Sequence, residues 1–315
     1  MNIAYCISAY KDAAQLGRLM DSLDGKDVSF VVHVDRKVGD IGAFRDVIAA
    51  HSNAVMCPER LYVQWGGWSQ VLYQELFLRY GVAIGADRIV ILSGQDYPLW
   101  SNRRIRAFFE GDNDRIMMCG LNLTRLQEPY PPMRKLLAIR HIGRDWHIRS
   151  AIFRRYVLAF MRLSMRLLPY RRKPYVTVDG TRWNVWQSSG YFSVNVEQAK
   201  YINSKLQNRQ IRNYFRYCFV PEELAVPTII FNSPFKQHAD VSKADHYEGI
   251  AALASMHYFY YPGAVKILGD RDYNALMSSN KMFARKMSTG KSDNLMRLID
   301  ENRRLDDAES AIGNS

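Results

Sequence analysis

The apolar positions along the chain alternate between the period of a strand and the period of a helix. Short, almost continuous apolar runs are typical of buried strands, and apolar residues at every third or fourth position are typical of amphipathic helices. The first run, "NIAYCISAY", is followed by a stretch that places Leu16, Leu19 and Leu23 on one helical face. The pattern predicts strands over 2–10, 28–37, 54–56, 88–94 and 115–120, and helices over 11–23, 41–51 and 68–85. This alternation predicts an α/β fold with a mostly parallel sheet and helices on both faces.

Polar residues follow three of the predicted strands at the point where each strand ends. They are Ser8 to Tyr10, His33 to Asp35, and Ser93 to Asp96. Ligands of parallel sheets bind beyond the carboxyl ends of the strands, so we expect the substrate there. No GxGxxG follows the first strand and no GxxxxGK[ST] occurs, which argues against a dinucleotide site or a P-loop.

The composition favours a reduced, cytoplasmic protein, and the length allows one large domain or two smaller ones. The chain has 315 residues, 48% of them hydrophobic, and four scattered cysteines without a CxxC pair. That spacing argues against a zinc site and against a dense disulfide framework. The first ten residues resemble a strand more than a signal peptide, and no apolar run reaches about 18 residues, so we expect no membrane span.

The positive charge is concentrated in the segment 131–175. This segment holds twelve Lys or Arg residues and one acid, Asp145, whereas the whole chain has a net charge of +12. The spacing of apolar and basic residues over 148–168 predicts a helix with an apolar face and a basic face. The apolar face contains Phe153, Val157, Phe160, Met161, Leu167 and Leu168, and the basic face contains Arg155, Arg162 and Arg166.

Two interpretations of this helix remain open. It fits an amphipathic helix lying on an anionic membrane, at the inner face of the cell membrane. It fits equally an insertion helix packed on the rest of the domain with a solvated basic rim. Nucleic-acid binding fits loosely because no recognised motif supports it, so we expect no nucleic-acid partner.

Six strings of the sequence match those of a known family, in the same order, over about residues 1–290. They are "VVHVDRK" (31–37), "VQWGGWSQV" (63–71), "ILSGQDYPL" (91–99), "SSGYFSVN" (188–195), "PEELAVPTIIFNS" (221–233) and "KMFARK" (281–286). With these strings the chain resembles the core-2/I-branching β-1,6-N-acetylglucosaminyltransferases and the related peptide O-xylosyltransferases, as a bacterial-type member. The resemblance implies a GT-A-type nucleotide-sugar transferase fold, inverting transfer and no metal cofactor.

The resemblance implies a single glycosyltransferase domain over 1–299, with 131–175 as a basic insertion and 300–315 as a polar tail. The expected reaction moves N-acetylglucosamine, or alternatively xylose, from a UDP-sugar to a hydroxyl of a glycan. We expect a role in bacterial surface polysaccharide synthesis, where the acceptor is often lipid-linked. A rival hypothesis of another class is a non-catalytic glycan- or membrane-binding module on the same fold.

Glu222 and Glu223 are the candidates for the general base that an inverting transfer requires. Adjacent side chains point in different directions, so we do not expect the two carboxylates to act as a pair. The residues alone favour an acidic helix N-terminus. The resemblance implies that Glu223, two residues after Pro221, is the base, and it leaves Glu222 in the helix-terminus role.

The turn after "RIVIL" carries one carboxylate, Asp96, where metal-dependent relatives of this fold carry a DxD pair. One carboxylate does not exclude a metal bound to a diphosphate, but the resemblance implies a site without metal. Two literal DxD strings occur elsewhere, at Asp112–Asp114 and Asp270–Asp272. The first predicts a turn, and the second predicts the start of a helix. The resemblance makes Asp96 a residue of the donor site.

Without a metal, Lys or Arg must neutralise the departing diphosphate. The resemblance assigns this role to Lys286, with Arg285 beside it, although a solvated basic helix end is the plainer interpretation. We expect Arg285 to contribute less if it points to solvent. The family's second basic residue has no arginine counterpart here, and His257 and Lys266 are the substitutes.

Five further residues complete the expected site. The resemblance implies a nucleoside contact for Asp35, although a simple strand-end turn explains an Asp there equally well. It also places Trp65 and Gly66 in a loop beside the donor. Trp186 and Tyr191, near a predicted strand, are acceptor candidates because aromatic faces stack on sugar rings, while core packing explains a Trp equally well.

Overall fold

The computed structural model describes residues 1–126, 134–148, 150–167, 172–261 and 263–312. Its strands are β1 (Ile3–Ala9), β2 (Val28–Val34), β3 (Ala54–Met56), β4 (Arg88–Ser93), β5 (Asp96–Pro98), β6 (Ile116–Asn122), β7 (Tyr175–Val178), β8 (Thr181–Asn184), β9 (Trp186–Gln187), β10 (Ser193–Asn195), β11 (Ala239–Val241), β12 (His257–Tyr258) and β13 (Phe283–Arg285). Its α-helices are α1 (Ala13–Leu23), α2 (Gly42–Ala49), α3 (Ser69–Ala83), α4 (Asn102–Gly111), α5 (Ala151–Leu167), α6 (Val196–Leu206), α7 (Arg209–Phe215), α8 (Ala225–Phe231), α9 (Tyr273–Ser278) and α10 (Asp293–Ile312).

The central sheet has the strand order β10-β4-β1-β2-β3 within the described residues. Its strands are parallel except for β10, which runs antiparallel to β4. Ser8 on β1 is level with both His33 on β2 and Ser93 on β4. The predicted mostly parallel sheet is therefore confirmed, and its register brings the three polar strand ends to one edge.

Helices cover both faces of this sheet, so β1 is buried on both sides. Tyr5 and Ile7 pack in an apolar cluster that also contains Leu16 of α1, Phe44 of α2 and Phe109 of α4. The alternate residues Ala4 and Cys6 pack in a second cluster, with α3 and α6. A strand buried on both faces is a nearly continuous apolar run, which explains why β1 was predictable.

Three smaller sheets accompany the central one within the described residues, and one of them is the hairpin of β7 and β8. β5 pairs with β13, and β13 pairs in parallel with β12, so the C-terminal part of the chain is attached directly after β4. β6 pairs with β9 and β11. This arrangement places Phe283–Arg285 of "KMFARK" in the middle strand of a three-stranded sheet, beside Asp96 of β5, instead of at a helix end.

The predicted boundary between the domain and a polar tail differs from the structure. Helix α10 runs across the expected boundary at residue 299. Arg303 in that helix is buried and donates hydrogen bonds to the carbonyls of Ser22 and Trp100, so the expected polar tail begins inside a packed helix.

The basic insertion is attached to the domain through Asp145. Its carboxylate accepts hydrogen bonds from the amides of Trp68 (2.8 Å) and Ser69 (3.1 Å) and from the Ser69 hydroxyl (2.6 Å). These amides lie at the N-terminus of α3, where a negative charge is stabilising. No helix in the described ranges is both long enough and apolar enough to cross a membrane.

Candidate active site

A cavity of about 470 Å³ lies at the edge where β1, β2 and β4 end. It is lined by the acids Glu222 and Glu223 and by the basic residues Arg285 and Lys286. Aromatic side chains form much of the remaining wall: Tyr10, Trp65, Tyr73, Tyr191, Phe259 and Tyr261. The cavity thus combines a carboxylate, a cationic region and aromatic surfaces.

Glu223 reaches the cavity from a short 3-10 turn, Pro221–Glu223, that precedes α8. Val220 before this turn has a left-handed backbone (φ 47°), which is unfavourable for a β-branched residue. The Gln187 amide donates a hydrogen bond to Glu223 Oε2 at 3.1 Å. Burial raises the pKa of Glu223 to about 7, which is the range suited to a general base at neutral pH.

Glu222 also lines the cavity, contrary to the expectation that it marks only a helix start. Its side chain is 5% exposed, and its Oε2 atom is buried without a hydrogen-bond partner among the described residues. Burial, together with the neighbouring charge of Glu223, raises the pKa of Glu222 well above its usual value. The pKa of Glu222 is thus raised by its neighbour's charge as well as by burial, whereas burial alone raises that of Glu223.

Asp96 lies beneath the cavity and does not line it. Its Oδ1 atom accepts from Arg285 Nη1 at 2.9 Å, and its Oδ2 atom lies 3.0 Å from His257 Nε2 and accepts from the Ser93 amide at 2.8 Å. Burial acts to raise its pKa, but the charges of His257 and Arg285 outweigh it and lower that pKa. Asp96 thus holds Arg285 in place instead of contacting the donor as expected.

Arg285 and Lys286 are both at the cavity but in different environments. The Arg285 side chain is 12% exposed, lies between Asp96 and the ring of Tyr191, and stacks on that ring at 4.7 Å. Lys286 is more open, and its Nζ lies 3.4 Å from the Tyr10 hydroxyl. Arg285 therefore does not point to solvent, so the condition under which it would contribute less is not met.

His257 and Lys266, the two substitutes for the missing arginine, are both engaged elsewhere. His257 is buried against Asp96, and Lys266 Nζ forms an ion pair with Asp272 at 2.7 Å. Neither side chain lines the cavity. Arg285 is the better candidate for the second diphosphate contact.

Asp35 is at the cavity, directly after β2. It accepts a hydrogen bond from the Lys37 amide at 2.8 Å, and its other oxygen lies 3.3 Å from Lys37 Nζ. The turn interpretation and the donor-site interpretation are therefore compatible, because one oxygen stabilises the turn while the side chain lines the cavity. Lys37 adds a third basic residue to the cavity wall.

The loop before α3 places Trp65 at the cavity rim, where it is 61% exposed. Gly66 adopts φ +72°, and a side chain there would meet the ring of Phe219 at 2.8 Å. At Gly67 a side chain would meet the Asp145 carboxylate at 2.4 Å. Gly66 and Gly67 therefore allow the loop to pass close to Phe219 and Asp145. Gly66 itself does not line the cavity.

The two acceptor candidates are in different places. Tyr191 lines the cavity between Arg285 and His257. Trp186 does not line it, and its ring stacks on Phe231 at 4.5 Å with an interplanar angle of 20°. Core packing therefore explains Trp186.

The two literal DxD strings lie away from the cavity and serve local roles. Asp112 accepts a hydrogen bond from the Arg115 amide in a turn, and Asp114 accepts from Asn195. Asp270–Asp272 forms a 3-10 turn directly before α9. No group of three or more His, Cys, Asp or Glu that is able to hold a metal occurs in the part of the chain that the structure describes.

Several residues at the cavity, and one beside it, were not identified from sequence. Gln187 contacts Glu223 but does not line the cavity, and no pattern marks it, because an amide between Trp186 and Ser188 fits a strand equally well without function. Lys37 follows β2, so the strand-end rule that predicted Tyr10 after β1 was able to find it. Phe259 and Tyr261 come from "HYFYYPG", where aromatic density gave the only signal.

Comparison with known proteins gives a family match over most of the chain. Residues 3–247 match the family described as Core-2/I-Branching enzyme. A human N-acetyllactosaminide β-1,6-N-acetylglucosaminyl-transferase is 27% identical over 113 residues, which are 35% of this chain and 28% of that protein. Mouse xylosyltransferase 2 is 26% identical over 244 residues, which are 74% of this chain and 25% of that protein. The chain thus spans about a quarter of the length of these relatives.

Among solved structures, TarS of S. aureus resembles the chain at a TM-score of 0.38 and 11% identity, covering 78% of this chain and 59% of TarS. A structure of TarS with UDP-GlcNAc resembles it at a TM-score of 0.29 and 12% identity, covering 46% of this chain and 42% of that one.

Proposed function

Because the chain belongs to the Core-2/I-branching enzyme family, we propose that it is an inverting glycosyltransferase that moves a sugar from a UDP-sugar to a hydroxyl of a glycan. The observation that carries this proposal is the arrangement of one cavity. A carboxylate with a pKa of about 7, Glu223, lines this cavity together with the basic residues Arg285 and Lys286. Transfer with inversion requires both parts, a base for the acceptor and positive charge for the leaving group.

In the proposed reaction Glu223 takes the proton of the acceptor hydroxyl. The acceptor oxygen forms a bond to the anomeric carbon from the face opposite the diphosphate. The bond between that carbon and the diphosphate oxygen breaks, and its electron pair remains on the UDP. Lys286 and Arg285 stabilise the resulting negative charge, and the proton remains on Glu223 until it is lost to water.

We propose that no divalent metal takes part. Asp96 stands at the position where metal-dependent enzymes of this fold type carry their ligands, and both of its oxygens are engaged by Arg285, His257 and the Ser93 amide. Metal binding at Asp96 would compete with a buried ion pair, which is costly to break. Arg285 and Lys286 supply the positive charge without displacing Arg285 from Asp96.

N-acetylglucosamine is the donor sugar that we propose first, and xylose is the alternative. The names of the human and mouse relatives support one sugar each. The acceptor that we propose is a glycan of bacterial surface polysaccharide synthesis. Trp65 and Tyr261 at the cavity offer aromatic faces on which a sugar ring can stack.

The rival hypothesis is a binding module without catalysis. Such a module has no need of a buried carboxylate with a raised pKa facing the sugar. Glu223 is held by Gln187 at the cavity, and this arrangement favours the enzyme.

The test is release of UDP and formation of glycoside from UDP-N-acetylglucosamine and UDP-xylose, each with a panel of sugar acceptors, in excess EDTA. We expect turnover with one of the two donors and a product of inverted anomeric configuration. The matched control is Glu223→Gln, which keeps the shape of the side chain. Binding of UDP-sugars without any turnover or donor hydrolysis would favour the binding module.

A further inference from the structure

Helix α5 exposes a continuous apolar stripe. Its members are between 58% and 72% exposed: Ile152, Phe153, Tyr156, Phe160 and Leu163. Scattered single apolar residues are normal on protein surfaces, whereas a contiguous patch of several large side chains marks an interaction site. A helix turns by about 100° per residue, so these five side chains fall within a sector of about 100°.

The opposite side of α5 faces the protein. Arg154, Val157, Leu158 and Met161 are partly buried. The predicted apolar face is therefore divided: Val157 and Met161 face inward, whereas Phe153 and Phe160 face outward with three residues that the sequence interpretation did not include. Leu168 lies outside the described residues, as do the side chains of Leu167 and Arg166.

Basic residues flank the stripe. Arg155 and Arg162 are exposed and lie along one edge of it by helical position. Burial lowers the pKa of Arg144 to about 10, with the charges of Arg162 and Arg154 acting in the same direction. The acid of the segment, Asp145, is engaged at the N-terminus of α3.

We propose that α5 is a membrane-docking helix, with its apolar stripe inserted at the surface of an anionic lipid bilayer and its arginines on the headgroups. An apolar stripe beside arginines matches the apolar and anionic layers of such a surface. A second copy of the chain fits less well, because a two-fold interface would bring two strongly basic segments together. A nucleic acid would engage the arginines but leave the apolar stripe in water.

The docked helix would also hold the cavity close to the bilayer. The carbonyl of Arg144 accepts a hydrogen bond from Arg154 of α5 at 2.9 Å. The guanidinium of Arg144 stacks on Phe219 at 4.7 Å and lies 5.7 Å from the ring of Trp65, which is at the cavity rim. If the chain is the proposed glycosyltransferase, this connection identifies its acceptor as a glycan carried on a lipid.

The docking test is co-flotation with vesicles of phosphatidylcholine, with and without phosphatidylglycerol, at low and high salt. We expect binding only to the vesicles with phosphatidylglycerol, and release at high salt because exposed charges are screened. Phe153→Ser with Phe160→Ser should weaken vesicle binding about 100-fold or more, since each buried ring contributes at least about tenfold. Arg155→Glu with Arg162→Glu should abolish it.

The matched control lies on α10, where Arg304→Glu with Leu305→Ser changes a basic and an apolar residue that are equally exposed. This control should bind vesicles like the unmodified protein. All variants should keep the same stabilisation by UDP, which shows that they are folded and that docking is separate from the donor site. Turnover with a water-soluble acceptor should be unchanged in the α5 variants, so failure of docking and failure of the proposed chemistry are distinguishable.

Three results would overturn the proposal. One is absence of binding to phosphatidylglycerol vesicles at low salt. Another is binding that is insensitive to the Phe153 and Phe160 changes, which would mean charge attraction alone. A third is a dimer, detected by light scattering, that the Phe160 change dissociates, because the stripe would then be a contact between two copies.

Discussion

Glu222 and Glu223 are adjacent residues of the same type, and their contacts separate their roles. Glu223 accepts a hydrogen bond from Gln187, whereas Glu222 has a buried oxygen without a partner among the described residues. Glu223→Gln should therefore keep UDP binding and lower turnover by about 100-fold or more, the contribution of a positioned base. Glu222→Gln is the control and should reduce turnover much less. Equal, mild losses in both would remove Glu223 from the mechanism.

The pH dependence of the reaction should report the ionisation of Glu223. Burial raises the pKa of Glu223 to about 7, and the base must be ionised, so kcat/KM should rise with pH and level off above about 7. The hydrogen bond from Gln187 lowers this pKa. Gln187→Ala should therefore move the rise to higher pH. A profile that is flat from pH 5 to 8 in the unmodified protein would contradict the assignment.

The raised pKa of Glu223 also makes the free energy of unfolding depend on pH. An acid whose pKa is higher in the folded state binds protons more readily there than in the unfolded chain. The free energy of unfolding therefore falls as the pH rises from about 4.3, the unperturbed value, towards 7. The site thus keeps a carboxylate that lowers stability at the pH where it is needed as a base.

Lys286 is the more open of the two basic residues that face the proposed diphosphate. Lys286→Ala should weaken UDP binding and lower turnover together, by about 100-fold or more, because the leaving group loses a charge partner in a shielded site. Turnover of the unmodified enzyme should survive excess EDTA. Loss of activity in EDTA, with recovery in manganese, would instead direct attention back to Asp96 as a metal ligand.

At the scale of secondary-structure elements, the ion pair between Asp96 and Arg285 joins β5 to β13. Both side chains are almost completely buried. Removing one partner of such a pair leaves an uncompensated buried charge, which costs about 3–5 kcal/mol. Arg285→Ala should therefore lower the free energy of unfolding by about that amount in urea titrations. Lys286→Ala, which removes a contact at the cavity rim, should change it by less than about 1 kcal/mol.

This ion pair also has a defined pH dependence. Because the pKa of Asp96 is lowered in the folded state, its stabilisation is present above the unperturbed value of about 3.9. It is lost as the pH falls below that value through the lowered pKa. If Arg285→Ala proved as stable as Lys286→Ala, the pair would not hold β13 in place.

The elements that the sequence predicted well are those whose burial imposes a simple pattern. β1, β2 and β4 are apolar on both faces, and α1 has apolar residues at helical spacing. β13 was not predicted, because three residues are too few for a period and its pairing partner, β5, is nearly 190 positions away. For the same reason the sequence did not indicate that Arg285 turns inward to Asp96 while Lys286 faces the cavity rim.

The candidate site was predicted mainly through family resemblance. Glu223, Asp35 and Lys286 are at the cavity, as expected from the matching strings, whereas Trp186 is packed against Phe231. The exposed stripe on α5 was identified only in part. Helical period defines an apolar sector, but which side of it packs on the protein depends on contacts with residues 140–144, which no local pattern encodes.

At the scale of the whole molecule, the cavity is built from segments far apart in the chain. Its walls include Tyr10, Asp35, Trp65, Glu223 and Lys286. No single segment can form this site alone, so a ligand of the cavity binds the folded protein and not the unfolded chain. Binding and folding are therefore coupled, and the melting temperature becomes a measure of ligand identity.

UDP should raise the melting temperature more than GDP or ADP. A ligand that binds only the folded state at about 100 times its Kd stabilises it by about 2.7 kcal/mol, which corresponds to several degrees for a domain of this size. The shift should be the same in EDTA, because Arg285 and Lys286 face the proposed diphosphate in place of a metal. Lys286→Ala should reduce the shift, whereas Glu223→Gln, which changes the base and not the nucleotide contacts, should retain it. A larger shift with GDP would show that the proposed donor nucleotide is wrong, and an equal shift in the Lys286 variant would place the diphosphate elsewhere in the cavity.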